Sequence, residues 1–265
     1  MQLVGKTVLL TGATGGLGRA IAGALAGRGA KLVLSSRKQA ELDRLAGSLA
    51  GDCHRTIVSD LAEEGAALQL LEQAGDIDVF VANAGLPATG RIEDFSHEQI
   101  ERALRVNLEA PIAITRELVP RLLERGSGHL VYVSSLSGKA ATARASLYCA
   151  TKFGLRGFVL ALRSDLRETP VGASLVLPGT IRDAGMFADS KATAPALMGT
   201  GKPEQVALAV VSAIERDLGE VAVAPRRQRA LAAIAANAPE FAGKVAGKKA
   251  AEVADEVAAG QTDKR

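Results

Sequence analysis

The sequence contains no tryptophan, and its six phenylalanines and two tyrosines make up only 3% of 265 residues. That excludes an aromatic core, and the 48% of hydrophobic residues must build the interior mainly from Ala, Val, Leu and Ile. Cysteine is equally scarce. Cys53 and Cys149 are too few for a disulfide framework and have no Cys or His at metal spacing, which fits a reducing compartment. The three histidines, His54, His97 and His129, stand alone, so no metal is expected. No apolar run reaches the roughly 18 residues needed to span a bilayer, and Met1 to Lys6 lack the basic n-region and long h-region of a secretory leader. A cytoplasmic protein without membrane association is therefore expected. Charge of one sign is lacking as well: 32 Lys and Arg against 29 Asp and Glu leave +3, too little for the positive face of a nucleic-acid binder.

Short aliphatic runs recur at Thr7 to Leu10, Lys31 to Leu34, Arg55 to Val58, Val79 to Ala82, His129 to Val133, Ala173 to Leu177 and Val221 to Ala224. They are continuous rather than alternating, as in parallel strands buried on both faces, and most are separated by stretches of helical period such as the Ile21, Ala24, Leu25 stripe. This alternation predicts an α/β fold, a Rossmann-like doubly wound parallel sheet of about seven strands with helices on both faces. No linker divides the chain before Pro225. One domain over 1–225 is expected, followed by an Ala-rich helical extension over 226–265 that frays past Gly260 and packs Leu231 and Ile234 on the domain or a partner subunit.

The first strand runs into Thr11-Gly12-Ala13-Thr14-Gly15-Gly16-Leu17-Gly18 at the start of a helix. Glycines at such a turn let the backbone approach a pyrophosphate, and the free N–H groups and dipole of the helix N-terminus favour the anion. NAD-binding folds usually place a carboxylate about 20 residues further on for the ribose 2′-OH. Here the second strand ends Ser35-Ser36-Arg37-Lys38. A guanidinium at that position suits a 2′-phosphate, so Arg37 with Ser36 points to NADP(H), with NAD(H) the alternative cofactor.

Strand 5 leads into Ser134-Ser135, and thirteen residues later comes Tyr148-Cys149-Ala150-Thr151-Lys152. A spacing of four puts Tyr148 and Lys152 on one helical face, where an ammonium is expected to draw a phenol of ordinary pKa about 10 towards the working range. Ser135, at the carboxyl end of a strand, is placed to hydrogen-bond a substrate oxygen. Taken singly, the serines read as turn caps and Asn107 as a helix cap or kink.

Taken together, the glycine turn, Asn83-Ala84-Gly85, Asn107, Ser134-Ser135, Tyr148 with Lys152, and Pro178-Gly179 resemble the short-chain dehydrogenase/reductase superfamily over about residues 5 to 225. The turn fits two of its branches. Gly12, Gly16 and Gly18 match the short single-domain enzymes, and Gly12, Gly15 and Gly18 match the longer epimerases and dehydratases; length and Asn83-Ala84-Gly85 favour the first. The resemblance implies an NAD(P)-dependent oxidoreductase exchanging a hydride with a carbonyl or secondary alcohol. It implies Tyr148 as the acid in reduction and base in oxidation, Ser135 polarising the carbonyl, Lys152 holding the nicotinamide ribose and tuning Tyr148, and Asn107 anchoring a relay water. It further implies that Gly12, Thr14, Gly15, Gly16, Leu17, Gly18, Ser36, Arg37, Asp60, Leu61, Asn83, Ala84, Gly85, Tyr148, Lys152, Pro178, Gly179 and Ile181 contact the cofactor.

Asp183 departs from the family, which usually has Thr there. A carboxylate beside a pyrophosphate repels it unless Arg182 neutralises the charge or the loop takes another path. Substrate selectivity in the family follows Pro178-Gly179, here about Ala184 to Thr200. Met186, Phe187, Leu197 and Met198 make this segment small and apolar, which suits a modest apolar carbonyl or alcohol substrate. A homodimer or homotetramer is expected by resemblance, through helices at Glu98 to Leu123 and Leu147 to Arg167. The reading from another class is a nucleotide-binding sensor or scaffold with the same fold and no turnover.

Overall fold

The computed structural model describes residues 1–190, 199–240 and 252–261. Seven strands, β1 (Thr7–Thr11), β2 (Lys31–Ser36), β3 (Arg55–Val58), β4 (Val79–Ala82), β5 (Gly128–Val133), β6 (Val171–Pro178) and β7 (Glu220–Val223), form one sheet in the order β3-β2-β1-β4-β5-β6-β7. Every pairing is parallel. The expected Rossmann-like sheet is therefore present, with its strand order reversing between β1 and β4, where ligands of such sheets bind.

Helices α1 (Gly16–Ala26), α2 (Gln39–Ser48) and α8 (Pro203–Arg216) supply buried side chains to one face; α3 (Ala66–Ala74), α5 (Ala110–Arg125) and α6 (Ser146–Asp165) supply the other. The inner strands β4 and β5 are buried along their whole length because helices cover both faces. The edge strands differ: β3 is mostly exposed or half-exposed and β7 is half-exposed throughout, so continuous apolar character holds only for the interior of the sheet. Helix α4 (His97–Leu104) passes into α5 through a π-helical turn at Arg105–Glu109. A short helix α7 (Gly185–Asp189) follows β6, and α9 (Arg226–Asn237) follows β7.

The aliphatic core keeps a small aromatic cluster. Tyr132, fully buried on β5, meets Phe80 and Phe158 edge-on and shares a 2.6 Å hydrogen bond with Thr115. Helix α9 buries Gln228 and Ala232 on the domain, while Leu231 and Ile234 stay 45% and 46% exposed in the single chain, which leaves a partner subunit as the surface for that pair. No described helix is long and apolar enough to cross a membrane. Among the described residues no group of three His, Cys, Asp or Glu side chains could hold a metal ion. Leu197, Met198 and residues 262–265 lie outside the described residues.

Candidate active site

The glycine turn leaves β1 at the strand-order reversal. Gly12 has φ +64°, and a Cβ there would stand 2.8 Å from Cα of Ala84. A Cβ on Gly18 would collide with the carbonyl oxygen of Gly12. One on Gly16 would lie 2.5 Å from Cβ of Ala184, whereas one on Gly15 would meet only the Gly12 oxygen, at 3.4 Å. The turn backbone thus requires Gly12 and Gly18, the Ala184 segment crowds Gly16, and Gly15 tolerates a side chain. The two glycine spacings left open by the sequence are separated by sterics, in favour of the short-branch pattern.

Asn83 braces this turn. Its Nδ2 donates to the carbonyls of Thr11 and Gly12, both at 3.1 Å, while the amides of Asn83 and Ala84 donate to Oγ1 of Thr11 at 3.1 and 3.2 Å. Asn107 lies in the π turn, 1% exposed. Its Oδ1 accepts from the amide of Leu86 at 2.7 Å, and its Nδ2 donates to the carbonyl of Leu86 at 3.0 Å and to Oγ1 of Thr151 at 3.5 Å. The side chain implied as a water anchor therefore fixes the loop after β4 to α6.

Ser135 begins the turn after β5, its Oγ accepting from the amide of Ser137 at 3.1 Å, and its hydroxyl is hydrogen-bonded to that of Tyr148. Ser134 is buried and donates to the carbonyl of Lys152 at 3.3 Å, locking the strand end to α6. Lys152 is 3% exposed; its Nζ donates to the carbonyl of Val133 at 3.4 Å and lies 5.6 Å from the centre of the Tyr148 ring. Burial lowers this lysine to about 8. Burial also pushes Tyr148 up to about 12, against the opposing hydrogen bond from Ser135. The expectation that Lys152 draws the phenol downward is thus corrected for this state: removing both groups from water outweighs an ammonium this far from the ring.

At the β2 end, Arg37 is exposed and has no ion-pair partner among the described residues. Lys38 pairs with Glu41 at 3.2 Å, and so does Arg19 at 3.1 Å, while Nε of Arg19 also donates to the carbonyl of Thr14 at 2.8 Å. Ser36 accepts from the amide of Lys38 at 3.5 Å. After β3, Oδ1 of Asp60 accepts from the amide of Ala62 at 3.0 Å, and Leu61 is buried.

Beyond β6, Gly179 packs against Gln228 and Ala224, and Oε1 of Gln228 accepts from the amide of Thr180 at 3.1 Å. Ile181 bridges Gly201 in parallel. The bridging bonds use the Thr180 carbonyl and the Arg182 amide, at 2.8 and 3.1 Å, so the amide and carbonyl of Ile181 itself have no partner among the described residues. Asp183 adopts φ +68° and pairs with Nε of Arg182 at 3.3 Å, with 71% of its side chain exposed. The pairing with Arg182 is one of the two escapes from repulsion anticipated for this carboxylate.

The segment then crosses the cleft. A Cβ on Gly85 would lie 3.4 Å from both Oδ1 of Asn107 and Cε of Met186, and 3.8 Å from Nζ of Lys152, so the three side chains border the same space over Gly85. Sequence reasoning placed Met186 only in a general substrate segment. It passed over Gln228, which acts through tertiary contacts that no local motif announces, and Arg19, and it named Ala184 only as the start of that segment.

Residues 6–195 match the family model described as short chain dehydrogenase. A ketoacyl reductase, HetN, of a Nostoc species is 40% identical over 227 residues, covering 83% of this chain and 79% of its own. Among solved structures, a short-chain dehydrogenase from Sphingobium yanoikuyae in complex with NADPH superposes with a TM-score of 0.75 at 26% identity, covering 82% of this chain and 87% of the other. A serine dehydrogenase complexed with NADP+ gives 0.73 at 29%, covering 83% and 94%. The chain is a member of the short-chain dehydrogenase/reductase family and an oxidoreductase.

Proposed function

We propose that the protein is an NADP(H)-preferring reductase of a small, apolar carbonyl compound, running in reverse on the matching secondary alcohol. The observation that carries this reading is the meeting of Ser135, Tyr148 and Lys152 at the carboxyl ends of the sheet, beside a glycine turn whose helix presents its free amides. The residues at this end of the sheet suit a dinucleotide. Gly12 and Gly18 sit where a Cβ would fill the turn, the amide of Ile181 is unpaired among the described residues, and Arg37 stands where a carboxylate would exclude a 2′-phosphate. The NADPH and NADP+ bound by two structural relatives support the same choice.

When bound, the reduced nicotinamide supplies the hydride. Tyr148, protonated far above neutral pH, donates its phenolic proton to the substrate oxygen as that oxygen gains charge. Ser135 donates a second hydrogen bond to the same oxygen. Lys152, cationic below about 8, lies under the tyrosine and offsets the phenolate left behind. Asn107 holds the Leu86 backbone and the Thr151 hydroxyl, and so keeps α6 in register with β4. Gly12 to Gly18, Asp60, Leu61, Asn83 to Gly85 and Pro178 to Ile181 form the wall around the cofactor.

The ketoacyl reductase relative makes a ketoacyl compound the first substrate to try, followed by simple ketones and aldehydes. Loss of NADPH absorbance should appear with at least one of them and be slower with NADH. Absence of turnover across the panel, with NADPH still bound, would establish the binding-protein reading instead. Phe153 and Leu160 on α6 are 41% and 36% exposed, which supports a homodimer or homotetramer; analytical ultracentrifugation checks it.

A further inference from the structure

The C-terminal residues 252–261 touch both walls of the cleft. Residues 252–259 are helical, and Asp255 pairs with Nε of Arg144 at 2.8 Å. Arg144 belongs to the loop between Ser135 and Tyr148, has φ +63°, and through its carbonyl accepts from the amide of Gly90 at 2.6 Å. One end of the segment is thereby tied to the loop that precedes the catalytic helix.

The other end is tied to the roof. Gln261, 2% exposed, donates from Nε2 to the carbonyl of Met186 at 2.7 Å. Gly260 lies so close to Ser190 that a Cβ would collide with the serine carbonyl and stand 2.7 Å from its Cα. The roof itself lies close to the floor, Ala184 over Gly16 and the end of Met186 over Gly85. Ala184 occupies the space where a Gly16 side chain would stand, so a pyrophosphate held at the start of α1 would have this segment as its neighbour.

The tie is poised for release. Oε1 of Gln261 is buried and has no hydrogen-bond partner among the described residues. An orphaned buried acceptor costs free energy that is recovered once the side chain reaches water, which brings the fastened and released states close together.

We propose that residues 252–261 are a latch across the cleft, with Gln261 and Asp255 acting as positioning residues that hold Met186 and Ala184 on the catalytic floor and set the rate of dinucleotide exchange. The inference rests on the reading that the cleft binds NADP(H). It also gives the C-terminal segment a task that its composition does not disclose.

Stopped-flow fluorescence of NADPH binding to the full chain tests it. Gln261→Glu keeps the shape and removes the donor, and Asp255→Arg breaks the other tie. Each should raise both association and dissociation rates by roughly fivefold, the effect of one net hydrogen bond, and the Arg144→Asp/Asp255→Arg double variant should restore the slower rates. Hydrogen exchange at amides 184–190 in the free protein should accelerate in the single variants and return in the double one. Unchanged exchange in Gln261→Glu and Asp255→Arg overturns the latch, whatever the binding rates do. Unchanged NADPH rates with faster exchange overturn its role in dinucleotide exchange. If the wild type binds no NADPH, the proposed function falls, and the exchange measurement still decides whether the latch exists.

Discussion

The floor and the roof of the cleft are built to different standards. On the floor, Asn83, Thr11 and Asn107 each make at least one hydrogen bond to backbone at or just beyond a strand end, and Ser134 ties the end of β5 to α6, so the residues around Gly12, Gly85 and Lys152 inherit the rigidity of the sheet. The roof is a single crossing, from Ile181 to Ser190, whose only helix has five residues. Its surface ion pair between Arg182 and Asp183 contributes little, because both side chains are largely in water. It is anchored near Gln228 at one end and by Gln261 at the other. Proton donation needs atoms fixed to a fraction of an ångström, which strand ends supply; admitting a large ligand needs a segment with few contacts to break.

The sharpest way to break this division is at Tyr148. If the floor carries the chemistry alone, Tyr148→Phe should lower kcat by about 10²–10⁴, the usual worth of a positioned acid, and leave the NADPH dissociation constant within about twofold. Steady-state kinetics and fluorescence titration check the two halves, and retained turnover would remove Tyr148 from the mechanism. Next in size is Arg37→Asp. Loss of the guanidinium and gain of a carboxylate should each disfavour a 2′-phosphate, so the NADPH over NADH ratio of kcat/KM should fall by roughly 10- to 100-fold.

The pH dependence tests the floor from another side. Burial places Lys152 at about 8 and Tyr148 at about 12, so the phenol stays protonated over the accessible range while the ammonium is lost above pH 8. kcat/KM for reduction should therefore fall about tenfold per unit above pH 8. Stability moves the other way. The folded lysine is depressed below its unfolded value of 10.5, so the cost of burying its charge is complete below pH 8 and disappears as pH rises from 8 to 10.5. Denaturation at pH 7.5 and 9.5 should show a gain of up to about 2 kcal/mol from this lysine at the higher pH, partly offset from about pH 9 as the Cys149 thiol and then the two tyrosines, all raised by burial in the fold, ionise in the unfolded chain.

Most of the floor was legible in the sequence because its signals are local. Strand, glycine turn and helix follow one another in twelve residues, and Tyr148 with Lys152 needs only the helical period. What was not legible depends on distant contacts. The direction in which Tyr148 is shifted depends on how deeply α6 is covered, and the choice among Gly15, Gly16 and Gly18 depends on where Gly12 and Ala184 fall in space. Asn107 reads as a motif residue in the sequence, yet its side chain is committed to Leu86, twenty-one positions earlier. The roof was least legible: Met186 and Gln261 stand 75 residues apart and no pattern links them.

The smallest predicted effect compares two neighbouring glycines. At Gly15 the backbone has φ −67° and ψ 161°, which any L-residue adopts, and an added Cβ meets one oxygen at ordinary contact distance. Gly15→Ala should leave thermal stability unchanged or raise it by up to about 1 kcal/mol, through the lower entropy of the unfolded chain. Gly16 has no positive φ either, so its constraint is the roof: the new methyl would strike Ala184. A rigid roof would make Gly16→Ala cost about 1–3 kcal/mol, as overpacking in a core does. A roof held chiefly by the Gln261 tie yields instead, so the cost should fall well below that range, and hydrogen exchange at 184–190 should rise in Gly16→Ala while the amides of β1 and β4 keep their protection. Equal destabilisation by both glycine variants would mean that the turn constrains both positions and that the roof is part of the rigid floor.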